Sequence, residues 1–278
     1  MKVDAHQHFW RYAPQEYPWI TPAMAPLMRD YLPPDLLPLL QATGVDDTIL
    51  VQARQGPDET QWLLDLAQGY PFIKGVVGWA DPQDPQLDEQ LFRWTAHSKL
   101  VGIRYELQNA RDDVMLRPDF LGGLDVLRNY NLAFDFLIRP RHLPAACQAA
   151  RKLPRQRFVV DHIAKPLIKQ GVMEPWAGDM RRLAACPNVF CKLSGMVTQA
   201  DWTRWHSADL TPYLDVVFEA FGPARLLFGS DWPVCTLAAP YERVLSLVVD
   251  YIQRCSPAEQ KLIMGENARQ FYYYYLNG

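Results

Sequence analysis

Short β-type apolar runs alternate with longer helix-like stretches along this whole chain, and that alternation constrains its fold more than any other feature. The runs cover 2–8, 48–52, 73–79, 100–105, 132–137, 158–162, 189–194 and 225–231. Most are apolar at successive positions, as strands covered on both faces are. Between them, 58–68, 85–97, 117–130, 142–152, 175–186, 212–221 and 240–254 carry helix signals: cap-like residues at the start and apolar stripes at helical spacing, such as Trp62, Leu63 and Leu66. Alternating strand and helix imply a parallel α/β fold. Eight strands in 278 residues suit one (β/α)8 (TIM) barrel, typically ~250 residues. No glycine-rich dinucleotide or Walker loop supports an open doubly wound sheet. A single domain over 1–278 is expected.

Three stretches break the pattern. Residues 12–38 are proline-rich, contain Tyr17, Trp19 and Tyr31, and read as a long loop with short helical turns at most. The others are 166–174 and 195–210. All three are expected on the face where the strands end, where barrel sites lie. Residues 265–275 read as a helix closing the barrel.

The first strand runs into Asp4-Ala5-His6-Gln7-His8 and the last into Ser230-Asp231-Trp232-Pro233. Side chains alternate along a strand, so Asp4, His6 and His8 are expected on one face. Barrel closure would bring them beside Asp231. His162 ends the sixth run and Arg104 the fourth. His6, His8, His162 and Asp231 therefore form the candidate acid–base or metal set, with Arg104 placed to bind substrate or an oxyanion. Asp161 should point away from His162, as a partner of backbone or of an arginine. Asp135 and Lys192 read equally well as structural or functional, Lys165 as a loop cap, and His97, His142 and His206 as solvated. Trp10, Trp19, Trp79, Trp202, Trp205 and Trp232 fall near strand ends or top-face loops. Indole faces stack on the C–H faces of sugars. Trp10 and Trp232 flank the polar blocks and are the first choices for a substrate wall, followed by Trp79. Gln52 is placed to bind a hydroxyl.

Composition removes other classes. The net charge of -3 gives no basic footprint for nucleic acid or a membrane surface. No apolar run approaches the ~18 residues of a membrane span, and the polar start is no signal peptide. The five cysteines include no C-x-x-C pair and are expected to be reduced, small core residues of a cytoplasmic protein.

The blocks Asp4-Ala5-His6-Gln7-His8, Asp161-His162-Ile163-Ala164-Lys165-Pro166, Lys192-Leu193-Ser194-Gly195, Gly229-Ser230-Asp231-Trp232-Pro233 and Gly265-Glu266-Asn267-Ala268 together resemble the amidohydrolase superfamily. The likeness is to its amidohydrolase-related (amidohydrolase 2) branch and covers essentially the whole chain. Within the branch the pattern is similar to sugar lactonases of the fuconolactonase and rhamnonolactonase kind, and more distantly to pyrone dicarboxylate lactonase. The family's metal-binding members use the strand-one histidines, a bridging lysine on strand four, histidines on strands five and six, and the strand-eight aspartate. This chain departs with Arg104 on strand four and Phe134-Asp135-Phe136 on strand five. A guanidinium cannot be carbamylated and repels a nearby cation, which argues against a binuclear centre.

The lactonase resemblance implies no required cofactor; one divalent ion such as zinc on His6, His8, His162 and Asp231 is the remaining option. It implies hydrolysis of a sugar-acid lactone (an aldonolactone), with Asp231 as general base and His6, His8, His162 and Arg104 donating to the oxyanion. An aspartate beside cations is ionised but weakly basic, which sets a tension in that role. Two alternatives stand beside it: a metal-dependent decarboxylase of the same family, and a non-catalytic binding protein on a retained barrel. The expected partner is the small-molecule lactone, with no nucleic acid or membrane; a homo-oligomer is left open.

Overall fold

The computed structural model describes residues 1–273. Eight parallel strands lie in the order in which they occur in the chain: β1 (Val3–Gln7), β2 (Asp47–Val51), β3 (Ile73–Gly78), β4 (Leu100–Glu106), β5 (Ala133–Leu137), β6 (Phe158–Val160), β7 (Val189–Leu193) and β8 (Leu226–Phe228). A parallel bridge between Gln7 and Trp232 brings the first and last edges together. The helices are α1 (Pro33–Thr43), α2 (Pro57–Gln68), α3 (Leu87–Trp94), α4 (Pro118–Asn129), α5 (Leu143–Lys152), α6 (Trp176–Ala184), α7 (Ser207–Phe221), α8 (Tyr241–Ile252), α9 (Pro257–Lys261) and α10 (Asn267–Tyr273). This is the (β/α)8 barrel that the alternation predicts.

The unbroken apolar runs fill two cores. Outward residues such as Leu50, Val76, Phe134, Phe136 and Phe158 pack under the helices. Inward residues, among them Val3, Ala5, Ile49, Val51, Val77 and Val159, fill the barrel, and Phe271 and Tyr272 of α10 join them. Burying one such side chain contributes about 1.5–3 kcal/mol. The expected closing helix therefore exists; Tyr274 and Tyr275 of that expectation lie outside the described residues. Among the described residues, no helix is long and apolar enough to cross a membrane. All five cysteines are free, four of them buried.

Several expectations need correction. The stretch 12–38 is not all loop, because α1 starts at Pro33. Pro33 suits a first helical position, and the Asp35 carboxylate accepts from Leu32 N at 2.8 Å. The helix α7 starts at Ser207, before Pro212; Asp209 accepts from His206 N at 2.8 Å and caps it. His142 is fully buried, not solvated, with Nδ1 accepting from Arg139 N at 3.1 Å.

A polar ladder crosses the apolar interior. Lys192 on β7 donates to Asp135 on β5 at 2.5 Å and lies 3.0 Å from Asp161. The Tyr272 hydroxyl meets both Asp135 oxygens, at 3.1 and 2.9 Å. Burial pushes the Asp135 carboxyl up to about 6 against the opposing charge of Lys192. Lys192 is 0% exposed, so these carboxylates and His6 Nδ1, 3.2 Å from its Nζ, offset its desolvation. Replacing Lys192 with Met should leave two buried carboxylates facing each other and cost about 3–5 kcal/mol. Urea unfolding measures this, and a loss below about 1 kcal/mol would contradict the ladder's role.

Candidate active site

The site is assembled where β1 meets the segment after β8. Asp231 N donates to His6 O at 2.8 Å and His8 N to Trp232 O at 2.7 Å. Three residues past the end of β8, Asp231 takes a left-handed conformation, φ 58°, with its carboxylate toward the histidines. Its Oδ1 lies 3.4 Å from His8 Nε2, 3.8 Å from His6 Nε2 and 3.9 Å from His162 Nε2.

Strict alternation fails in β1. The pairing with β2 slips between Asp4 and Gln7, so one extra residue bulges there. His6 and His8 face inward, but Asp4 faces out, contrary to expectation. Its carboxylate accepts from Ser230 N at 2.8 Å and from the Tyr241 hydroxyl of α8 at 3.1 Å. A similar slip between β3 and β4 precedes Arg104. Arg104 donates from Nη1 to Asp161 Oδ2 at 2.9 Å.

Alternation also fails after β6. His162, Ile163, Ala164 and Lys165 all have positive φ, from 47° to 60°. This left-handed turn puts His162 on the same side as Asp161, not the opposite side. Asp161 is the arginine partner expected, but it also lies 3.3 Å from His6 Nδ1. Gly195, at φ +59°, lets the next loop pass: a Cβ there would sit 2.5 Å from His162 Nδ1.

Hydrogen positions follow from these partners. His8 Nδ1 sits 2.8 Å from Val51 O, a pure acceptor, so His8 Nδ1 carries the hydrogen and Nε2 a lone pair. His6 has a donor on each side, Arg104 Nη1 3.3 Å from its Nε2 and Lys192 Nζ 3.2 Å from its Nδ1, which also lies 3.3 Å from Asp161 Oδ1. The Nε2 atoms of His6 and His8 lie 3.1 Å apart, beside Asp231. Burial lowers all three imidazoles, His162 to about 4, and keeps them neutral at pH 7. Burial alone would raise Asp231, but the closeness of His162, His8 and His6 outweighs it and holds the carboxyl well below the usual range. Converging neutral nitrogens with one ionised carboxylate suit a single divalent cation, the more so because each histidine has its Nδ1 oriented by a second group. His6, His8 and Asp231 have ligand atoms close enough to share one ion.

Above these groups opens a cavity of about 880 Å³ whose wall includes His8, Gln52, Arg104, His162, Lys165 and Asp231. His6 lies beneath it, fully buried. The tryptophan expectation needs correction. Trp10 is 0% and Trp232 3% exposed. Trp10 packs on Trp19 and Tyr31, and Trp232 on Phe9 and Tyr31. Trp79 stacks on Tyr105. None of the three borders the cavity; Trp19 and Trp202 do. Both come from the two long aromatic-bearing loops, a signal that favours loop tryptophans over those flanking strand ends. Lys165, read from the sequence as a loop cap, and Arg139, not singled out there, also border it.

Gly195→Ala should destabilise the fold by about 1–3 kcal/mol through backbone strain and, by displacing His162, weaken zinc binding by about 10-fold or more. Gly171, also at positive φ (+65°) but in open space, is the control: its alanine variant should show the strain without the affinity loss. Urea unfolding and zinc titration by calorimetry read both.

Comparison with known proteins agrees with this architecture. The amidohydrolase family pattern matches residues 3–273. An L-fucono-1,5-lactonase of Burkholderia multivorans is 42% identical, over 98% of this chain and 96% of its own. A second, from Burkholderia ambifaria, is 39% identical over 98% of this chain and 95% of its own. A Burkholderia multivorans amidohydrolase solved with bound zinc superposes with a TM-score of 0.94 at 41% identity, covering 98% of this chain and 99% of that one. With nearly every residue of the barrel matched, this chain belongs to the amidohydrolase family.

Proposed function

We propose that this protein hydrolyses a sugar-acid lactone to its hydroxy acid. The observation that carries the reading is one ionised carboxylate, Asp231, set among three neutral imidazoles under a large cavity. The likeness to two fuconolactonases supports the substrate class. The cavity wall suits a polyol: Gln52, Gln108, Asn109, Thr198 and Gln199 offer amides and a hydroxyl, and Trp19 and Trp202 offer indole faces.

In this mechanism the lactone carbonyl lies against Arg104. Water sits between Asp231 and the His8 Nε2 lone pair, giving one hydrogen to each, which aims its oxygen. Asp231 takes a proton as that oxygen adds to the carbonyl carbon. His8 Nε2 has no hydrogen to give, so oxyanion donation falls to Arg104 and to His162, whose Nδ1 meets the Ser194 hydroxyl at 2.9 Å. This reassigns His8 from oxyanion donor to holder of water, and His6, beneath the cavity, to a support for Arg104 and His8. A depressed carboxylate is a weak base. A lactone holds its ester in the less stable geometry and so asks less of that base than an amide would. A divalent ion held by His6, His8, His162 and Asp231 would add Lewis-acid polarisation.

Asp231→Asn should lower kcat by about 10²–10⁴, read as proton release from a panel of aldonolactones. Substantial residual turnover would remove Asp231 from the base role. The same panel after chelation separates the readings: retained activity favours a metal-free lactonase, complete loss a lactonase that needs its ion, and no lactone turnover before chelation alongside metal-dependent loss of carbon dioxide from carboxylates would favour the decarboxylase.

A further inference from the structure

The proposed reaction leaves one requirement unmet. When the ring C–O bond breaks, the departing oxygen carries an electron pair and needs a proton. Arg104 does not release one. His8 Nε2 presents a lone pair, the His162 hydrogen is held on the oxyanion, and Asp231, carrying the proton of water, sits among the imidazoles on the water's side. Of the carboxylates on the cavity rim, Glu16 pairs with Arg54, and Glu106 accepts from Gln55 and Asn109.

Lys165 fits this requirement. It closes the left-handed turn that begins at His162, with its N donating to His162 O at 2.8 Å. In a three-residue turn, positions i and i+3 eclipse, so His162 and Lys165 present side chains on the same side, and both border the cavity. Four non-glycine residues in this conformation are each strained; a mere loop cap does not require it. The Lys165 Nζ donates to Gln108 Oε1 at 2.7 Å. No carboxylate among the described residues lies within ion-pair distance of it, and an ammonium has three hydrogens to give.

Resting on the lactonase reading, we infer that Lys165 is a catalytic residue that donates to the ring oxygen of the scissile ester and protonates it as the C–O bond breaks. Water's oxygen bonds to the carbonyl carbon while Asp231 holds its proton. The tetrahedral species then collapses, the ring oxygen leaves with the bonding pair, and Nζ passes it a proton. The neutral amine regains a proton from Asp231 through water, so the net change is addition of one water.

The test uses whichever aldonolactone the wild-type chain turns over. Lys165→Ala should lower kcat by about 100-fold or more with little change in KM, and added ethylammonium should restore turnover in proportion to its concentration. Lys165→Arg keeps the charge and a donor for Gln108 but cannot release a proton, so it should fall by a similar factor; thermal melting confirms that each variant folds. An alanine variant keeping more than about a tenth of wild-type kcat, a loss that ethylammonium does not relieve, or an arginine variant at the wild-type rate overturns the inference. A wild-type chain inert on every lactone would instead remove the underlying function.

Discussion

The seam between β1 and the segment after β8 carries the rest of the structure. Two backbone hydrogen bonds, Asp231 N to His6 O and His8 N to Trp232 O, join the chain's beginning to its end. Beside them, the Asp4 carboxylate ties Ser230 N and the Tyr241 hydroxyl together, with its carboxyl pushed up to about 6 by burial. Because backbone sets these positions, the carboxylate and the two imidazoles approach with little side-chain freedom left to lose. Gly229 completes the seam: a Cβ there would lie 2.7 Å from His6 Cβ.

Beneath the seam, charge is balanced in pairs. Asp161 receives Arg104 on one oxygen and lies beside Lys192 and His6 on the other. Burial opposes its ionisation, but these neighbours hold it well below the usual carboxylate range. Asp135 and Tyr272 continue the ladder to the closing helix. An apolar barrel would be simpler to fold, and buried ion pairs seldom add net stability. What this ladder supplies is orientation: Lys192 and Asp161 set the His6 ring, 3.2 and 3.3 Å from its Nδ1. The floor of the site thus reaches from the strand ends to α10.

The site is also where local backbone rules are broken. Bulges in β1 and before Arg104, a left-handed turn from His162 to Lys165, and positive φ at Asp231 each shift a side chain from the face that alternation assigns. Strain of this kind persists only where surrounding packing over-determines it. The surrounding strands and helices are regular and fully packed, so a few strained residues are tolerated at one rim.

Hydrophobic periodicity and turn chemistry are local, and they alone determined the eight strands, most helices, their alternation and the barrel they imply. Residue identity alone also named His6, His8, His162, Asp231 and Arg104, because few other polar residues stand at strand ends. Tertiary structure decided what depends on register and on distant neighbours. It turned Asp4 outward and Asp161 inward, sent Trp10 and Trp232 into the core, and placed Trp19, Trp202 and Lys165 on the cavity. The physical reason is that a strand's side-chain period is two: a one-residue slip, or one left-handed residue, reverses every face after it, and such slips are set by partner strands far away in sequence.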